Sequence, residues 1–419
     1  MKFLMINRNF LSMWTSNFIS ILNGRFRELI IPLIVLGLTG SPLVTGLVAL
    51  SQQLGAVLFA IPVGTWLEKK NKKKVATVCH FLYGLGTFLL AFFITQDKVH
   101  PAIIAFILFI LGVIALITRT AFSTMVPRVA GREKLLEAHT SLEASDAIST
   151  LIGPAIGGIL LASAGAGITM ALCGFLSIFS MIFIFIVKYR EDKSISAKET
   201  GAIKKKVSNF FSESTEGVGY LFANPSQLIC TLVMCSLGFS TVFIVLTVLF
   251  HARISLNFSE EYIGIILSSA GVGNIVGIFL MRWLKETNWL LTLVILLLVS
   301  SLGVLTMLMA NGLLIICLGM MLFDGALSMA FVVQGAVHQG ITPDEYLSRV
   351  RSATYVISGI FSMLGTFLAG VIPEFLSGKF ALGFGVAMLA LPAVYIIKFR
   401  KQGVKLNQIE PIYMNKRKA

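Results

Sequence analysis

Apolar runs of roughly 18 to 25 residues recur along the whole chain between short polar breaks, and each can cross a hydrocarbon core of about 30 Å as a helix. Lipid offers no partner to backbone N–H and C=O groups, and a helix satisfies its own, so such a chain has to fold as a helical bundle. Twelve spans are expected, over residues 10–37, 42–65, 75–95, 101–123, 138–163, 166–188, 222–250, 260–282, 288–310, 312–340, 348–371 and 378–398. Only 13% of the residues are charged, about half the share of a soluble globular chain. A soluble domain is thereby excluded. The first run is too long, too charged and without a small-x-small site for a cleaved signal, so it is expected to stay in the mature protein.

The net charge of +14 over 419 residues would suit a nucleic-acid binder if the charge formed a patch. It is instead sorted by side. With twelve spans both termini share a face, and on it fall Lys2, Arg8, Lys69 to Lys74, Arg128, Arg132, Lys134, Lys204 to Lys206, Arg282, Lys285, Arg349, Arg351 and the basic tail. The opposite face receives Lys98, Arg253 and Lys379. Lys and Arg concentrate in cytoplasmic loops, so both ends are assigned to the cytoplasm and no nucleic-acid partner is implied.

The longest hydrophilic interval divides the spans six and six. The expected organisation is a first half over 1–188, a cytoplasmic linker over 189–221, a second half over 222–398 and a tail over 399–419. The linker begins charged and Ser-rich and turns amphipathic near "VSNFF", a pattern suited to the membrane surface. The halves resemble each other weakly: "TGLVALSQQLGAV" aligns with "IGIILSSAGVGNI", and "GPAIGG" with "GTFLAG", in the second and fifth spans of each half. The five cysteines lie in apolar spans without a C-x-x-C, so they are expected to be core hydrophobes, with no disulfide framework and no metal.

Charges inside the spans are harder to place. "SILNGRFRELIIPLIV" carries Arg25, Arg27 and Glu28 at bilayer depth, where a charge facing lipid costs about 3 kcal/mol or more. At 100° per residue Asn17, Gly24 and Glu28 fall within about 40° of one another, forming a polar face with Arg25 beside Glu28 at i,i+3. Arg119 lies in the fourth span and Asp324 in the tenth, while the seventh offers Ser240, Thr241 and Thr247. In the fifth span Asp146 precedes Gly153 by seven residues on the same face, with Glu143 within a turn of it. Gly153 and Gly157 permit close packing and Pro154 removes a backbone hydrogen bond. A fixed ion-pair network that only orients helices would also account for Arg25 and Glu28, and hydrated acids at the cytoplasmic mouth for Asp146 and Glu143. His80, His139 and His338 fall near cytoplasmic helix ends and are expected to be interfacial.

"GTWLEKKNKKKV" resembles G-x-x-x-D-[RK]-x-x-[RK]-[RK], the loop signature between the second and third helices of the major facilitator superfamily. Gly64, Lys69, Lys72 and Lys73 match, and Glu68 stands in place of the usual aspartate. "LTGSPLVTGLV", Pro32 and "MVPRVAGREKLLEAHTSLEASDAISTLIGPAIGGIL" are similar to the drug-proton antiporter branch with macrolide-efflux and enterobactin-exporter-like proteins. "GPAIGG" (Gly153, Pro154, Gly157, Gly158) looks like the fifth-helix motif of exporters. The resemblance implies an all-α fold of two six-helix halves whose first, fourth, seventh and tenth helices line a central cavity. It also implies a conformational latch at Gly64, Glu68, Lys69, Lys72 and Lys73, with Glu68 facing the start of the eleventh helix. Physically, Gly64 would admit close helix approach, and the lysines would hold the loop at anionic headgroups. The chain departs from its relatives in lacking the usual acid at or beside Gly24, the acid and arginine near His80 and Tyr83, and R-x-x-Q-G around Arg119.

No nucleotide-binding G-x-x-x-x-G-K-[ST] is present, nor H-E-x-x-H or G-x-S-x-G, so neither ATP-driven transport by this chain alone nor catalysis is expected. The expected function is proton-coupled efflux of amphiphilic drugs such as macrolides by a monomeric, multi-pass cell-membrane protein without cofactor. Glu28, Asp324 and Asp146 are the expected proton carriers. Asn17, Arg25, Arg119, Ser240 and Thr241 are the expected cavity residues. A siderophore or metabolite exporter is the alternative, and a transport-dead sensor of the same fold is the alternative of another class.

Overall fold

The computed structural model describes residues 6–68, 70–96, 99–189, 221, 225–281, 283–284, 286–400 and 403–408. Twelve helices carry the described chain: α1 Arg8–Thr39, α2 Pro42–Leu58, α3 Ala60–Glu68, α4 Lys72–Thr95, α5 Pro101–Ala130, α6 Leu135–Ile186, α7 Pro225–Phe250, α8 Glu260–Met281, α9 Trp289–Met309, α10 Leu313–Gly340, α11 Asp344–Phe375 and α12 Gly378–Ile397. Among the described residues nine helices are long and apolar enough to cross a membrane. The remaining spans follow from three local features.

The first is α1, set apart from the purely apolar helices by its charges. Next, α2 and α3 share one span, broken at Phe59 because Pro62 has no N–H to return to the Leu58 carbonyl. Last, α6 is two spans in one helix, turned at Gly165, whose φ of 78° only a residue without Cβ adopts readily. Twelve crossings result, close to the sequence reading, and the chain is a multi-pass membrane protein with the expected all-α fold.

Helix ends obey local chemistry. The Asn7 side chain accepts from Phe10 N–H and Asn71 from Lys74 N–H, while Gly40 closes α1 in the left-handed region by donating to Leu36 O. The eleventh helix begins at Asp344, four residues earlier than expected. Beyond α7 the chain continues into a π turn over His251–Ser255. The helices group into two compact units. One contains α1 to α6 with Ala252–Gly271, and in it α1 and α4 pack on α6 and α2 on α5. The other contains α7, the rest of α8 and α9 to α12, with α7 against α11 and α12 and α9 against α10 and α12.

Candidate functional site

In the first unit the two acids singled out in sequence meet on one cation. Arg25 Nη1 lies 2.9 Å from Glu28 Oε2, and Nη2 donates to Asp146 Oδ1 at 3.1 Å and Oδ2 at 3.3 Å. The i,i+3 spacing on α1 makes the first contact; α6 supplies the second. Gly153 explains how α6 comes near enough: a Cβ there would stand 2.6 Å from Arg25 Cβ. Asp146 and Gly153 are seven residues apart and share a face, so one glycine and one carboxylate two turns away cradle the same arginine. The Glu28 side chain is 65% exposed and that of Asp146 46%, so the cluster is open rather than entombed. Asp146 is bonded to Arg25 rather than free at the helix mouth. Glu143 is exposed.

A second polar stripe on α1 escaped the sequence reading. Ser16, Ser20, Asn23 and Arg27 follow a spacing of four, three and four residues and so lie on one face. They meet the descending arm of α6. Ser16 and Ser20 hydroxyls pair with Ser180 Oγ at 2.8 and 3.0 Å, and Asn23 Nδ2 donates to Cys173 O at 3.0 Å and Ser177 Oγ at 2.8 Å. Arg27 ends the ladder with its guanidinium carbon 4.5 Å from the centre of the Tyr83 ring. It therefore does not extend the Arg25–Glu28 face. The serines could have been found from their spacing alone, which matches a helix–helix seam.

The glycines of the fifth-helix motif serve two neighbours. Gly153 and Gly157 pack on α1, with Phe26 Cα 3.4 Å from a Cβ at 157, while Gly158 lies against Glu260 O and the Gly264 Cα of α8. Gly264 in turn abuts Pro154 O, and Gly271 abuts Leu151. The Ala155 N–H donates to Ser268 Oγ at 2.8 Å across this contact. Side chains larger than hydrogen at these positions would separate the two backbones.

In the second unit Asp324 of α10 accepts from Asn274 Nδ2 of α8 at 2.9 Å. The helices cross backbone to backbone at that level: a Cβ on Gly325 would come 2.7 Å from Gly273 O. Asn274 Oδ1 is buried without a hydrogen-bond partner. Asn274 was not recognised in sequence, although a lone asparagine among small residues in an apolar span is a signal of interhelical hydrogen bonding.

The other expected residues are placed as follows. Asn17 is half-buried and Arg119 exposed on α5. Ser240 and Thr247 are fully buried with unpartnered hydroxyls, and the Thr241 hydroxyl returns to Leu237 O at 2.7 Å. Around the loop signature, Lys72 and Lys73 open α4, and Lys73 Nζ lies 5.4 Å from the Phe185 ring centre. A Cβ on Gly64 would meet nothing within 4 Å among the described residues. Lys69 and the Glu68 side chain lie outside the described residues, as do the linker over 190–220 and the tail beyond 408. His139 is exposed as an interfacial residue would be, but His80 and His338 are buried, and His338 Nε2 contacts Thr354 Oγ1 at 3.1 Å. Among the described residues all five cysteines are free thiols, and no group of three or more His, Cys, Asp or Glu could hold a metal.

Comparison with known proteins agrees with the fold. No curated protein matches the sequence. Among solved structures, the nucleoside transporter NupG, crystallised as a point variant, superposes with a TM-score of 0.74 at 13% identity, covering 94% of this chain and 99% of that one. A bacterial homologue of the iron transporter ferroportin, in an inward-facing state, gives 0.72 at 13% over 94% and 98%. A bacterial homologue of the human lysosomal transporter Spinster gives 0.69 at 12% over 96% and 98%. These likenesses speak to fold. The family model described as Major Facilitator Superfamily matches residues 13–366, and the chain belongs to that superfamily of membrane transporters.

Proposed function

We propose that the protein exports an amphiphilic compound of the macrolide type in exchange for protons, by alternating access, with Glu28, Asp146 and Asp324 as proton carriers. The observation that carries this reading is the sharing of Arg25 by two exposed carboxylates. A cation with two acid partners keeps one when the other takes up a proton, so the proton comes and goes without stranding a charge at bilayer depth. Asp324 has a different device of equal reversibility. One of its partners is an amide, and an amide offers both an N–H donor to a carboxylate and an oxygen to a carboxylic acid, the latter unpartnered in Asn274.

Energetically the coupling is sufficient. One proton entering across about 150 mV releases about 3.5 kcal/mol, enough to hold a neutral solute several hundredfold out of balance. The charged face of α1 would receive a polar group of the substrate, and the lipophilic remainder would contact apolar side chains. A binding role without transport predicts no pH-driven flux at all, so the two are separable.

The test is efflux from proteoliposomes under an imposed pH gradient, with macrolides and lipophilic dyes as substrates. Wild-type protein should show gradient-dependent flux. Glu28→Gln and Asp324→Asn should each abolish the dependence on the gradient at unchanged protein content. Normal gradient-driven export by both variants would remove these carboxylates from the mechanism. A siderophore exporter would leave macrolides and dyes unmoved and transport an iron chelator instead.

A further inference from the structure

Two residues after Arg25, the other arginine of α1 is in the opposite chemical situation. Arg27 Nε and Nη1 are buried and have no hydrogen-bond partner, and no carboxylate lies within ion-pair distance of the guanidinium among the described residues. Its charge is permanent, because a guanidinium does not release its proton under protein conditions. The Tyr83 ring covers one face of the group at 4.5 Å, which offsets part of the desolvation but offers nothing to donors that lie in the guanidinium plane. The field of Glu28 reaches Arg27, yet its carboxylate gives no acceptor to either nitrogen.

The surroundings add a second unmet donor. Tyr83 Oη is buried without a partner, so unmet donors from two helices belong to one guanidinium–ring contact. Elsewhere on this stripe the donors are met, since Ser16, Ser20 and the Asn23 amide nitrogen are all partnered, while Asn23 Oδ1 is a buried acceptor without a partner. Arg27 is 19 residues from the start of α1 and 12 from its end, about 28 and 18 Å at 1.5 Å per residue. At that depth no lipid headgroup reaches it, and the walls, Asn23, Tyr83 and Cys173, are all nearly inaccessible.

We propose that Arg27 and the Tyr83 hydroxyl bind a small monovalent inorganic anion, of the size of chloride, inside the first unit. The site is separate from the Arg25–Glu28–Asp146 cluster and independent of the proposed transport cycle. A monovalent ion accepts in-plane N–H and O–H hydrogens, which the π face cannot do. Divalent sulfate would leave a surplus charge, so it should not substitute.

The experiment is thermal unfolding of the purified full-length protein in detergent, in sodium chloride, bromide or nitrate against sodium gluconate of equal ionic strength. The wild type should melt about 2 to 4 °C higher in the small anions, with saturation. Arg27→Gln should melt alike in all the salts. Tyr83→Phe, which keeps the ring and drops the hydroxyl, should raise the half-saturating chloride concentration about tenfold. Crystals grown in bromide should show one anomalous peak beside Arg27. Equal melting of the wild type in chloride and gluconate would mean that water fills the position and would overturn the proposal, as would an undiminished chloride effect in Arg27→Gln. If Arg27→Gln does not fold, an unchanged half-saturating concentration in Tyr83→Phe overturns it just as well.

Discussion

The two units solve the same problem, an acid in the middle of a membrane helix, with different partners. In the first, Arg25 lies between Glu28 and Asp146; in the second, Asp324 has the neutral amide of Asn274. Both arrangements are seated where a glycine brings two helices together, Gly153 beneath Arg25 and Gly325 beside Gly273. A charged partner holds a carboxylate by Coulomb attraction as well as hydrogen bonding, and its removal leaves like charges facing each other. A neutral partner contributes only the hydrogen bond. The first unit should therefore be the more sensitive to loss of the partner and the second the more tolerant.

Arg25→Gln provides the largest expected effect. It leaves Glu28 and Asp146 without their shared cation, and gradient-driven flux should fall at least about 100-fold, consistent with a loss of roughly 3 kcal/mol or more for a broken charge pair. Combining it with Asp146→Asn should recover part of the thermal stability though not the flux, because one surplus negative charge is then removed. Wild-type flux in Arg25→Gln would break the comparison at its stronger end.

How much of this was legible beforehand follows from what each residue's signal depends on. The spans emerged from apolar run length, a local property, and the ends of α6 through α10 fall within a few residues of expectation. Arg25 and Glu28 were legible as a pair because i,i+3 neighbours on a helix are fixed by its geometry. The bond from Arg25 to Asp146 was not, since it joins residues 121 apart in sequence and depends on how closely α6 approaches α1. Gly153 carried that information, but a glycine in an apolar helix does not announce its neighbour. At Gly64 the signature suggested close packing, and among the described residues a Cβ there would have open space. Arg27 follows Arg25 by two residues, which on a helix stand 200° apart and face different surroundings.

The glycines sharpen the comparison at an intermediate level. Gly325→Ala sets a methyl against the backbone oxygen of Gly273, which cannot rotate away, whereas Gly153→Ala sets one against Arg25 Cβ. Overpacking of this kind costs about 1 to 3 kcal/mol. Melting temperatures should fall in both variants by a few degrees, more in Gly325→Ala. Only Gly153→Ala should reduce flux beyond what the lost stability explains, since it moves the arginine that both acids share.

Asn274→Leu should give the smallest effect and the most discriminating one. The substitution removes a single hydrogen bond to a carboxylate, worth about 1.5 to 3 kcal/mol where the group is charged and less where it is protonated. Asp324 can retain a tolerable state by carrying its proton longer, an option denied to Glu28 and Asp146 when a permanent cation is lost beside them. Gradient-driven flux should drop about three- to tenfold, and a more acidic external medium should not restore it, because release of the proton, not its uptake, becomes slow. A loss as deep as that of Arg25→Gln would show that the amide is as necessary as the guanidinium, and the distinction between a charged and a neutral partner would then have no functional content.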